Sequence, residues 1–244
     1  MKKERDNNYG SLDEYDVENN ENNQVHDVNQ KIRSGFIKKV YGIVLFQLLI
    51  TAAFCVASLY SKDISKFQKK NFEFFIAVVI VSIIILIVLS CFTQIARTVP
   101  INYILLLLFT LCEAYLVSRA CAYVNDPKIV LMAAAMTCGI VFALTLYACV
   151  TDTDFTTLGG ILFCFSIALL FFSIFAMFTH NRLVHIAISA ISVLLFSVYL
   201  IYDTQLLLGR KQYGLSTEDY IIGAMMIYID IIVIFQELMN LMRG

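Results

Sequence analysis

The sequence predicts an all-α, polytopic membrane protein with seven spanning helices. Three observations carry that prediction. Of 244 residues, 59% are hydrophobic and 15% charged, with a mean hydropathy of +0.76. A soluble domain is nearer about 45–50% apolar and about 25% charged. The charges are segregated into a tail and short connections, so the net charge of −1 says little. Seven apolar stretches lie between them, and at ~1.5 Å per residue about 20 residues cross a ~30 Å hydrocarbon core. No basic arm or dense Lys/Arg run suggests nucleic-acid binding.

The elements follow in order. Residues 1–31 are Asp/Glu/Asn-rich and too poor in aliphatic side chains to offset chain entropy, which predicts a disordered acidic tail. The membrane domain is then 32–244. Lys31, Arg33, Lys38 and Lys39 precede the first apolar stretch, 40–60, and a lysine-rich polar loop is expected over 61–71. The second stretch is 74–95. Arg97 and Pro100 break it, because the residue before a proline avoids the helical region. The third, 101–123, ends at Asn125-Asp126-Pro127, and the fourth is 129–150. In TDTDFTT, Asp154 or Thr153 can cap the fifth, 158–178. His180, Asn181 and Arg182 make a turn before the sixth, 184–208, and the seventh is 220–242.

The seven cysteines lie within or at the ends of apolar stretches and form no CxxC pair, so they read as small hydrophobes. His26, His180 and His185 belong to no HxxxH cluster, and no Gly-rich phosphate loop or nucleophile motif occurs. Gly139, Gly159 and Gly160 suit close helix packing. MKKERDNNYG leads into polar residues, so the first apolar helix, not a cleaved peptide, is expected to direct insertion. The distribution of Lys and Arg favours a cytosolic N-terminus.

The chemistry rests on acids inside apolar helices, which are costly there and usually functional. Asp203 lies about five residues, ~8 Å, before the end of the sixth helix; Asp230 lies about ten residues, ~15 Å, into the seventh. A short connection makes these helices antiparallel neighbours, so the two carboxyls reach similar depth and can face each other. A facing pair would share a proton or hold a cation between them. The plainer alternative is that each acid bonds a neighbouring helix as polar glue. Glu237 is seven residues beyond Asp230 on the same face, ~10.5 Å along the axis. It is a second station on a pore or an interfacial acid reaching water. Glu113, mid-way along the third helix, should face the bundle interior. Arg97 snorkels to the interface or turns inward as counter-charge to an aspartate.

These residues sit in recognisable motifs. IRSGFIKKVYGIVLFQLLIT (32–51), PINYILLLLFTLCEAY (100–115), LTLYACVTDTDFTTLGG (144–160), YDTQ (202–205) and EDYIIGAMMIYIDIIVIF (218–235) occur in that order. By them the chain resembles the transmembrane Bax-inhibitor-motif family, and within it the lifeguard or Golgi anti-apoptotic protein group. The resemblance implies seven spanning helices with the C-terminal helix at the centre. It puts the family's pH-sensing aspartate pair, which gates Ca²⁺ leak from intracellular stores, on Asp203 and Asp230. An arginine of the second helix closes the pore in a bacterial relative, and Arg97 is the nearest basic residue here. The ending IFQELMNLMRG departs from the family's NLF pattern at Gln236 and Glu237.

The sequence reading is therefore a non-enzymatic, pH-regulated Ca²⁺ leak channel of the endoplasmic reticulum or Golgi that suppresses apoptosis. Asp203 and Asp230 would bind Ca²⁺ in transit, with Glu113, Glu237 and Arg97 lining or gating the path and no resident cofactor. Membrane lipids are the expected surroundings. The alternative is a non-conducting regulator that binds Bcl-2-type proteins or Ca²⁺-release channels. An intramembrane aspartyl protease would also use a Tyr-Asp and a second aspartate on consecutive helices. However, Asp230 follows Ile227-Tyr228-Ile229, not a GxGD motif, and the prolines, Pro100 and Pro127, make no Pro-Ala-Leu segment.

Overall fold

The computed structural model describes residues 2–179 and 181–243, with side chains from Asp27 onward. Among these residues the chain is helical, in nine α-helices and one 3₁₀ turn, without a strand. The helices are α1 (Lys2–Tyr60), α2 (Lys62–Lys70), α3 (Phe72–Cys91), α4 (Thr93–Arg97) and α5 (Ile101–Val124), then α6 (Pro127–Val150), α7 (Gly159–Met177), α8 (Arg182–Leu208) and α9 (Tyr220–Arg243). The backbone of α1 is helical from Lys2; the tail's side chains up to residue 26, and His180, lie outside the described residues. Seven helices are long and apolar enough to cross a membrane, the first from Asp27 to Tyr60. The protein is a multi-pass integral membrane protein.

Two connections differ from the sequence expectation. The stretch expected as a polar loop over 61–71 is the helix α2, capped by Ser61, whose Oγ accepts from Ile64 N. Asp63 lies in its first turn and Lys69 and Lys70 in its last, matching the helix dipole. Its Gln68 is buried, accepting from Ser58 Oγ at 2.5 Å and donating to Ser118 Oγ at 2.8 Å, which pins α2 to α1 and α5. The second spanning helix stops at Cys91, short of the proline. After Phe92 the chain starts a separate short helix, α4, whose Ala96 carbonyl accepts from buried Asn102. Elsewhere the local signals act as expected. Asp126 caps α6 with Pro127 in its first turn, Asp154 caps the 3₁₀ turn, and Asn181 caps α8.

The last helix is the centre. Of the apolar window of α9, 61% is buried inside the protein, against 11% for that beginning at Phe155. α9 packs against α1, α5, α6 and α8. Ile221, Ala224, Met225, Ile227, Tyr228, Ile234 and Met239 on α9 are almost fully enclosed. The outer helices turn aromatic and branched side chains outward, such as Phe163, Phe171 and Phe175 on α7. In a lipid solvent this outward apolar surface is what a spanning helix requires.

α1, α5, α7 and α9 begin on the face where the chain enters, here called the N-terminal face; α3, α6 and α8 end there.

Candidate functional site

α8 ends at Leu208 because Gly209 takes a left-handed conformation, φ 60°, and its N–H bonds back to Gln205 O at 3.0 Å. The carbonyls this end leaves free are taken by Arg33 of α1. Its guanidinium donates to Leu206 O at 2.7 Å, Leu208 O at 3.2 Å and Leu215 O at 2.5 Å. Gln205 turns to the connection before α7, donating to Thr153 O at 3.0 Å and accepting from Phe155 N at 2.8 Å. Lys211 donates to Thr151 O and Asp152 O. Asp154 binds Thr156 and accepts from Gln212 N. Its carboxyl is held below the ordinary carboxylate range, first by the Thr156 hydroxyl, then by backbone N–H groups and Lys211. The two polar connections on the N-terminal face are thus stapled to each other and to the end of α8.

One turn inside that staple lie Asp203 and Asp230. They are 4% and 3% exposed, and their carboxyls lie within hydrogen-bonding reach of each other. The sequence argument from depth and antiparallel packing puts them at similar depth, able to face each other, and the structure brings them together. Asp203 Oδ1 and Asp230 Oδ2 have no hydrogen-bond partner. A proton on one acid makes a bond between them; with none, two charges meet in a low-dielectric interior. Tyr199, one turn before Asp203, ties this part of α8 to α7 through a 2.8 Å bond to Ser166 Oγ.

The other acids stand apart from the pair. Glu113 on α5 accepts from the Ser82 hydroxyl of α3. Glu237 on α9 accepts from Ser189 Oγ of α8 at 2.7 Å and Asn240 Nδ2 at 3.2 Å, and is half-buried. Arg97 does not reach Asp203 or Asp230. It binds Asp219 with two nitrogens, at 2.7 and 2.9 Å, and Glu218 at 3.1 Å, locking α4 to the start of α9. Among the described residues, no group of three or more His, Cys, Asp or Glu could hold a metal ion. Ca²⁺ prefers six to eight oxygens, so the aspartate pair supplies a partial shell.

Sequence reasoning did not find several polar residues that the fold brings together. Gln47 of α1 donates to Thr110 of α5 at 2.9 Å. Thr51 donates to Gln47 O, so Tyr228 of α9 donates to Thr51 across their 2.8 Å contact. Gln47 and Thr51 stand at i and i+4 on one face of α1, but nothing in that spacing distinguishes a bonded partner from a lipid-facing one. A cleft of about 550 Å³ lies between α1, α4 and the start of α9, away from the aspartate pair. Its charges are already engaged: Arg97 with Asp219, and Lys39 3.2 Å over the Tyr220 ring.

Comparison with known proteins agrees with this architecture. The model of the family "Inhibitor of apoptosis-promoting Bax1" matches residues 33–244. "Protein lifeguard 3" of Homo sapiens is 33% identical over 218 residues, covering 88% of this chain and 70% of the relative. The mouse (Mus musculus) protein of the same name is 31% identical over 217 residues, 87% of this chain and 70% of the relative. "Protein LIFEGUARD 3" of Arabidopsis thaliana is 33% identical over 223 residues, 88% of this chain and 87% of the relative. The match runs through the membrane helices and both aspartates, and the chain belongs to the Bax-inhibitor family, in its lifeguard group.

Proposed function

We propose that the protein is a pH-regulated Ca²⁺ leak channel of an intracellular membrane, the endoplasmic reticulum or Golgi, and that by lowering store Ca²⁺ it restrains apoptosis. The observation that carries the reading is the enclosed contact between Asp203 and Asp230 on consecutive spanning helices. Structural acids in a bundle are ordinarily satisfied by a donor, and each of these keeps an oxygen without one. A shared proton holds α8 to α9. Its loss replaces a bond with repulsion, which a divalent cation relieves. An incomplete oxygen shell suits passage better than storage. Ca²⁺ flux through purified protein in liposomes, followed against pH, tests this. Flux that is the same in wild type, Asp203→Asn and Asp230→Asn at every pH would refute it.

A second reading has its own support in the family's description as an inhibitor of apoptosis-promoting Bax1. In it the chain restrains cell death by binding Bcl-2-type proteins or Ca²⁺-release channels, without conducting. It expects the amide variants to keep cell protection after flux is lost. Neither reading makes the chain an enzyme.

A further inference from the structure

Beside the aspartate pair, buried polar groups remain unpartnered in a row. They are Asp203 Oδ1, Thr204 Oγ1 and Tyr41 Oη. Thr204 is 1% exposed and follows Asp203 on α8. The Tyr41 hydroxyl of α1 faces the hydroxyls of Thr204 and of Thr145 on α6, yet closes a hydrogen bond with neither. Hydroxyls that are enclosed, adjacent and unbonded leave a polar gap of the kind that water fills in a folded protein.

The row leads outward. α6 and α8 run in the same direction, both ending on the N-terminal face. Thr145 and Cys149 stand at i and i+4 on α6; Thr204 and Leu208 do so on α8. The outer member of each pair, Cys149 and Leu208, lines a cleft of about 160 Å³ that opens on that face, with Gln205, Asp152 and Lys211 at its rim. The inner members lie one turn deeper, ~6 Å, and Tyr41 bridges the two levels, near Cys149 as well as Thr145 and Thr204.

We infer that the seam between α1, α6 and α8 is a hydrated access route, running from the N-terminal face through the cleft at Cys149 to Asp203, for a small hydrated cation. The route deepens the leak reading and rests on it for the identity of the ion. Its walls offer neutral hydroxyl oxygens, which can replace water molecules around a cation without trapping it before it reaches the acids. Gln205 and Lys211 tie the 151–155 segment across the mouth, so the route is narrow.

The test is labelling of cysteines by a permanently charged trimethylammonium-ethyl methanethiosulfonate, with the protein in lipid nanodiscs and each site read by peptide mass. Cys149 of the native chain and a Thr145→Cys variant should be modified. Leu146→Cys, at the same depth with its side chain turned outward to lipid, should remain unmodified. A Thr145→Cys protein that is monodisperse and as inert as Leu146→Cys would overturn the route. Should Thr145→Cys not fold, Tyr41→Cys on the facing wall gives the same decision. Because labelling is read by mass, it is separate from conduction: protein that labels at Thr145→Cys but passes no Ca²⁺ defeats the leak reading and leaves the route standing.

Discussion

Arg97 grips both carboxylate oxygens of Asp219, Nε to Oδ1 at 2.7 Å and Nη2 to Oδ2 at 2.9 Å. Asp219 is 8% exposed, so it depends on that grip. Arg97→Gln leaves it enclosed without a counter-charge, whereas Asp219→Asn leaves a solvated arginine. Arg97→Gln should therefore lower the thermal unfolding midpoint more than Asp219→Asn, and the double variant should lie closer to wild type than Arg97→Gln alone. Equal, additive losses in a double-mutant cycle would show that the fork contributes nothing.

At the aspartate pair, an amide in place of one acid donates permanently to the other. Asp203→Asn should fold as well as wild type but lose the pH dependence of Ca²⁺ flux. Flux that retains its wild-type pH profile would assign pH sensing to other groups.

Gly209 is required at its place by its backbone, φ 60°. A side chain there is strained by about 1–2 kcal/mol in the left-handed region and meets the Arg33 guanidinium that closes the end of α8. Gly209→Ala should destabilise the protein by at least that amount in reversible unfolding. A neutral outcome would mean that the α8–α9 connection is not held as described.

Tyr228→Phe removes one interhelical bond, to Thr51, at the largest fully buried side chain of α9. Interhelical bonds of this kind average about 0.6 kcal/mol and reach ~1.7. A loss in that range is expected in unfolding measurements. A much larger one would give the Gln47–Thr51–Tyr228 chain a role beyond packing.

Asp154 supplies a pH dependence of a different kind. Its carboxyl is held below the ordinary value of 3.8 in the folded protein. A depressed carboxyl stabilises the fold above its unfolded value and loses that contribution as pH falls through the folded one. Asp154→Asn keeps a capping oxygen but not the charge. It should be less heat-stable than wild type at pH 7, with the difference vanishing in strong acid, below the folded value. A gap that persists there would assign the effect to geometry.

Much of the fold was legible in advance because hydrocarbon imposes one simple demand. A spanning segment must be apolar and must satisfy its own backbone, so seven apolar runs read as seven helices. The demand stops at the membrane surface, and so did the legibility. Lys62, Asp63, Lys66 and Lys69 look like a loop in one dimension, but Gln68 buries itself against Ser58 and Ser118 and makes them a helix. Pro100 suggested where the second span ends, but the chain breaks earlier, at Phe92. There α4 turns Arg97 to Asp219 and offers its Ala96 carbonyl to Asn102.

The sequence by itself determined the class, the number of spans and the matched depth of Asp203 and Asp230, because helix rise and a short antiparallel connection fix depth. Rotation about each helix axis is not fixed by depth, and only tertiary packing decided it. Packing gave Arg97 to Asp219, set Glu237 against Ser189 and Glu113 against Ser82, and brought the Tyr41 hydroxyl to Thr145 and Thr204. In lipid an apolar helix has almost no sequence preference for which face turns inward, so the partners of its few polar residues are chosen by the neighbours it packs against.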